Sequence, residues 1–129
     1  MGYRYFLCGM AVGFDLEAAK AVISLRERLP GVEVVAVIPF KGSQERFSTE
    51  QRTLFDQIVE ESAEAITLAT RYSTDVYARR NNYLVDNSSA VVTYFTGEKG
   101  GTAYTINRAV KNLSYIINIY NNPQQELTF

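Results

Sequence analysis

The strongest chemical potential in this chain lies in Gly100, Gly101 and Thr102, which stand between an apolar run and the start of a helical period. Glycines there let an anion approach main-chain N–H groups without Cβ obstruction, and the amino end of a helix carries about half a positive charge. Thr102 either caps that helix or donates its hydroxyl to the same anion. The competing reading is an ordinary glycine-containing turn between strand and helix. Asp15, in the first turn of an earlier helix, is either a cap favoured by the helix dipole or an acceptor for a ligand hydroxyl. Glu98, Glu45 and Asp15 are the acid or base candidates for bond cleavage, with Glu98 on the glycine loop itself.

Other chemistry is removed by composition. The chain has no His and one cysteine, Cys8, so a Ser-His or Cys-His nucleophile pair, an imidazole metal site, an internal disulfide and a cysteine zinc cluster are all excluded. Cys8 ends an apolar segment and reads as a small buried side chain. No metal site and no cofactor are expected. A net charge of -1 and a pI near 5.5 argue against bulk nucleic-acid binding. The 129 residues fit one domain, 1–129. No apolar run approaches the roughly 20 residues of a membrane span and the amino terminus lacks a secretory core, so a cytoplasmic protein is expected.

The elements that must position these groups alternate. Residues 3–8 (YRYFLC) read as a strand, and the turn Gly9, Met10, Ala11, Val12 and Gly13 leads into a helix with Phe14, Ala18, Ala21, Val22, Leu25 and Leu29 on one face. Pro30 and Gly31 stop it. Residues 33–38 (EVVAVI) have the β-branched, nearly unbroken apolar character of a parallel strand covered on both faces. A polar loop, 39–47, precedes Ser48 and Gln51, which have capping-box spacing, and Leu54, Phe55, Ile58 and Val59 form the stripe of the helix that follows. Strands are expected at 65–68, 90–95 and 115–119, with helices from Thr74 through about Asn87 and over 103–113. The tail from Asn121 reads as loosely ordered. The pattern predicts an α/β fold, a Rossmann-like three-layer sandwich with a mainly parallel five-stranded sheet and its crevice beyond the carboxyl ends of the strands. Lys41, Arg46, Arg71 and Lys99 fall in the loops at that end, with Arg79 and Arg80 shortly beyond. The concentration suits a small phosphorylated ligand better than a long polyanion.

The segments GMAVGFD, IPFKGSQERF, RNNYLVDNSSAVVTYFTGEKGGT and TINRA, in that order and spacing, resemble the YpsA-like branch of the SLOG superfamily, the group of DprA (Smf) and the LOG enzymes. The resemblance covers nearly the whole chain. It implies a Rossmann-like nucleotide-binding domain of a group whose members commonly work as oligomers, and a homo-oligomer is expected here because a parallel sheet without the family's opening unit leaves an edge or core face for a partner copy. It also implies that Gly9, Met10, Ala11, Gly13, Asp15 and Phe40 belong to the first ligand loops, Arg80 and Asn81 to an arginine-containing helix, and Gly100, Gly101 and Thr102 to a phosphate loop. LOG enzymes carry a glutamate three residues beyond the loop threonine, where this chain has Thr105, so N-glycosidic hydrolysis is not expected. Family members begin with an earlier strand and glycine loop, and the chain is expected to start at the second strand, so that the site is incomplete, is completed by another subunit, or belongs to a reading frame that begins earlier. The expected function is a binding module or sensor for a nucleotide or nucleotide-derived anion. A LOG-like hydrolase and a DprA-like single-strand DNA binder are the alternatives.

Overall fold

The computed structural model describes residues 5–88, 90–93, 115–118 and 126–127, and the chain divides into two compact units, Met1–Val76 and Tyr77–Phe129. In the first unit three parallel strands, β1 (Tyr5–Cys8), β2 (Glu33–Ile38) and β3 (Glu64–Thr67), lie in the order β1-β2-β3. Helix α1 (Phe14–Leu25) joins β1 to β2 and helix α2 (Thr49–Glu61) joins β2 to β3. Parallel pairing follows from these crossovers, because each helix returns the chain to the same edge. The register sets Phe6 opposite Val34 and Cys8 opposite Ala36, and Ala36 opposite Ala65.

The central strand anchors this unit, and Val34, Val35, Ala36 and Val37 are all buried, as its unbroken apolar run requires. Val34 and Ala36 share one face and join Cys8, Met10, Leu16, Ala19, Phe55 and Ile58 in a single core. α2 supplies Phe55 and Ile58, with Leu54 and Val59 partly buried beside them. β3 starts one residue before the expected position, and three of its four residues are exposed because it flanks its sheet.

α1 is shorter than its apolar spacing suggests. It ends at Leu25, the Arg26 N–H turns back to the Ile23 carbonyl, and the Arg28 and Leu29 N–H groups both close on Leu25. Leu25 and Leu29, expected on the buried face, are exposed at 42% and 53%. The Arg26 guanidinium holds this end in place: it donates to the Glu61 carbonyl at 2.9 Å and to the Glu61 carboxylate, and lies 3.6 Å from the Glu33 carboxylate. One side chain thus joins the ends of α1 and α2 to the start of β2.

In the second unit, strand β4 (Ala90–Thr93) pairs in parallel with β5 (Tyr115–Asn118), which pairs antiparallel with a two-residue strand β6 (Glu126–Leu127). A paired segment therefore stands in the tail that its polar composition marks as loose, with Leu127 opposite Ile116. Helix α3 (Val76–Asp86) leads from one unit into the other and opens two residues after Thr74. The α/β class and a parallel sheet are established. The described strands form two three-stranded sheets, and a continuous five-stranded sheet in a three-layer sandwich goes beyond them. The expected helix at 103–113 and the Gly100 to Thr102 turn lie outside the described residues.

Candidate ligand-binding site

In the first unit, parallel strands put the loops after β1, β2 and β3 on one edge of the sheet. The loop after β1 is the most constrained. Met10 adopts a positive φ of 62° and Gly13 one of 90°. The first is rare for a residue with a long side chain, and it is held because that side chain is buried in the core at 1% exposure. Sulfur and carboxylate groups fix the turn between them. The Cys8 thiol donates to the Asp15 carbonyl at 3.4 Å, the Met10 N–H donates to the Cys8 sulfur at 3.4 Å, and the Ala11 N–H donates to Asp15 Oδ2 at 3.3 Å.

Two expectations are refined by this geometry. Cys8 is a buried side chain, and it also organises the loop through its thiol. Asp15 does not act as the cap of α1: the N-cap is Gly13, with no side-chain cap hydrogen bond, and the carboxylate reaches back to the preceding loop. Asp15 and Glu17 both lie in the first turn of α1. Their charge opposes a phosphate at this helix end and favours a neutral, hydroxyl-bearing part of a ligand.

The loop after β2 is built from successive tight turns, with Ser43, Glu45 and Phe47 N–H groups closing on Phe40, Gly42 and Gln44. Gly42 needs its positive φ of 84°, and a Cβ there would meet Glu45 Oε1 at 2.7 Å. The Ser43 hydroxyl is buried without a hydrogen-bond partner. This loop is tied to the one after β3 by the Lys41 N–H donating to the Ala69 carbonyl at 3.0 Å, and Phe40 meets Tyr72 edge to face with centroids 5.7 Å apart. Lys41, Arg46 and Arg71 are exposed on these loops.

The second unit carries Arg80 and Asn81 on α3. Arg80 is buried at 8% exposure, its Nε donates to Asn81 Oδ1 at 3.1 Å, and its guanidinium carbon lies 5.3 Å from the Tyr77 ring centroid. The polar character of this helix face suggests a solvated guanidinium; the side chain is instead enclosed and held by an amide and an aromatic face. Asn82 Oδ1 is buried without a partner. Glu98, Gly100, Gly101 and Thr102 lie outside the described residues. Thus Gly9, Met10, Ala11, Gly13 and Asp15 form one linked loop, Phe40 belongs to a second, and Arg80 contacts Asn81. The positive φ of Met10 and the Phe40–Tyr72 pair had no signal in composition or spacing. Among the described residues no group of three or more His, Cys, Asp or Glu could hold a metal ion, and no helix is long and apolar enough to cross a membrane.

A parallel α/β unit with constrained loops gathered at the carboxyl edge of its sheet defines the class of protein. Residues 1–122 match the YspA SLOG family (YpsA), and the chain belongs to it. Among its relatives, the SPβ prophage-derived protein YoqJ of Bacillus subtilis is 27% identical over 121 residues, covering 84% of this chain and 70% of that protein. A UPF0398 protein of Bacillus velezensis is 23% identical over 113 residues, covering 85% of this chain and 62% of its own length. One from Bacillus pumilus is 21% identical over 119 residues, with 90% and 64% covered. The chain thus spans less than two thirds of these two UPF0398 relatives.

Proposed function

We propose that this protein is a binding module for a nucleotide or nucleotide-derived phosphorylated ligand, seated at the carboxyl edge of its parallel strands. The observation that carries the reading is the loop after β1, where two positive-φ residues precede a helix with no side-chain cap and the Asp15 carboxylate, from the helix's first turn, accepts from the Ala11 N–H. A backbone held in sparsely populated conformations by surrounding contacts is characteristic of ligand clamps. In this reading Asp15 accepts from a ribose hydroxyl; Arg80, and the sequence Gly100, Gly101 and Thr102, are proposed on their residue types alone as groups for phosphate. The chain is proposed to act as a homo-oligomer in the cytoplasm, and its exposed flanking strand β3 is a ready edge for a partner copy.

A thermal-shift panel of AMP, GMP, cyclic nucleotides, ADP-ribose, NAD and a single-stranded oligonucleotide tests the reading. A ligand at a hundredfold excess over its Kd adds about 2.7 kcal/mol of stability, which is readily measured. No response to any phosphorylated nucleotide defeats the proposal. Release of base from AMP, GMP, CMP or IMP at an enzyme-like rate, abolished by Glu98→Gln, replaces it with hydrolysis.

A further inference from the structure

Tyr72 is an exposed aromatic side chain on the loop after β3, at the edge where the loops after the parallel strands gather. The residue is 58% exposed, yet its ring meets Phe40 at an interplanar angle of 76°. The two loops that carry these rings are joined by Lys41 to Ala69 on one side and by the Leu68 N–H donating to the Ile38 carbonyl at 3.0 Å on the other. Two backbone hydrogen bonds and an edge-to-face contact thus hold an aromatic surface toward solvent. A lone exposed aromatic needs no explanation, but one braced in this way has already lost the freedom that binding would otherwise remove. Exposed Lys41 and Arg71 are the chain neighbours of Phe40 and Tyr72, so the two loops favour an aromatic ligand that also carries negative charge.

We infer that Tyr72 is the base-stacking residue of the site, a platform for the purine or pyrimidine of a mononucleotide, with Phe40 holding its ring. The inference rests on the nucleotide-binding reading above and adds to it which residue meets the base. β3 lies two strands from β1, and strand spacing sets the ends of these strands, from which the loops of Asp15 and Tyr72 start, about 10 Å apart, within the span of a nucleotide. Stacking on an aromatic face tolerates different bases, so this contact contributes affinity and a preference for purines rather than strict identity.

Calorimetric titration of AMP and ribose 5-phosphate into the wild-type chain, Tyr72→Ala and Tyr72→Phe decides the matter, with thermal melting of each variant as the control for folding. The expected result is about a tenfold loss of AMP affinity in Tyr72→Ala, equivalent to about 1.4 kcal/mol. Tyr72→Phe stays within about twofold of wild type, because the ring rather than the hydroxyl makes the contact. Ribose 5-phosphate, which has no base, binds wild type and Tyr72→Ala equally, including the case in which neither binds. AMP binding unchanged in Tyr72→Ala overturns the inference and leaves the nucleotide-binding reading standing. An equal loss for ribose 5-phosphate overturns it too. Failure of wild type to bind any mononucleotide overturns the inference, and the nucleotide-binding reading falls with it only if ADP-ribose and NAD also fail to bind. Tighter binding of a single-stranded oligonucleotide than of AMP, lost in Tyr72→Ala, reassigns the ring to a nucleic-acid strand and overturns the mononucleotide assignment.

Discussion

α1 and α2 belong to the same unit and begin in opposite ways. At α2 the Ser48 side chain accepts from the Gln51 N–H at 3.1 Å and the Gln51 side chain accepts from the Ser48 N–H at 3.0 Å, so two groups without helical partners are satisfied reciprocally. At α1 the cap is a glycine with φ 90° and ψ -126°, with no side-chain hydrogen bond. The nearest carboxylate, Asp15, holds the loop in front of the helix instead. Both helices start at the carboxyl edge of the sheet, so the difference lies in how each end is completed. The start of α2 is completed by its own residues, whereas the start of α1 has no side-chain cap and the nearest carboxylate is bonded to the loop before it.

If α2 is structural throughout, its core anchors set stability and reach the site only through the core they share with Met10. Ile58→Ala, at a fully buried position, is expected to destabilise the protein by about 2–5 kcal/mol in urea unfolding. The folded fraction should bind ligand with unchanged affinity. Weakened binding in that fraction would break the comparison by coupling α2 to the site.

Gly13→Ala tests the other helix. Nothing lies within 4 Å of a Cβ added there, so the effect comes from backbone conformation alone and is expected at about 1–3 kcal/mol. Ligand affinity should fall along with melting temperature, since the loop and the start of α1 move together. A variant of unchanged melting temperature would show that the turn tolerates a side chain and is less constrained than its φ indicates. Ser48→Ala is smaller, about 1 kcal/mol, and should leave nucleotide binding untouched. Measuring these two substitutions by the same melting and titration experiments sharpens the contrast: both alter a cap residue, and only one alters binding.

How much of this was legible in the sequence depends on the range of the interaction concerned. The α2 capping box was readable because both partners sit within one turn, and β2 because a continuous β-branched run has few other uses. The end of α1 was not. Helical periodicity marks a face but does not say where the helix stops, and Arg26 is fixed by Glu61, 35 residues away, and by Glu33 on β2. The candidate loop after β1 could be located by its glycines. Its most unusual residue, Met10, could not, since nothing in a methionine's identity announces a positive φ that is enforced by a buried side chain. Arg80 shows the same limit, because its polar neighbours in sequence disguise its burial in the fold.

Asp15→Asn gives the smallest effect on stability and the most direct test of what the open helix start is for. An asparagine oxygen can still accept from the Ala11 N–H, so the loop retains its hydrogen bond, and the lost charge at the start of α1 costs less than about 1 kcal/mol. Binding should respond differently. A carboxylate makes charge-assisted hydrogen bonds to ligand hydroxyls, roughly twice as strong as those a neutral amide offers. AMP should therefore lose about tenfold in affinity, while the 2′,3′-dideoxy form, with no ribose hydroxyl at those positions to donate, should bind wild type and variant alike. Equal losses for both ligands would mean that the substitution disturbs the loop generally. A gain for both would mean that the Asp15 charge repels the phosphate, which would place the anion at the start of α1 instead of a ribose hydroxyl.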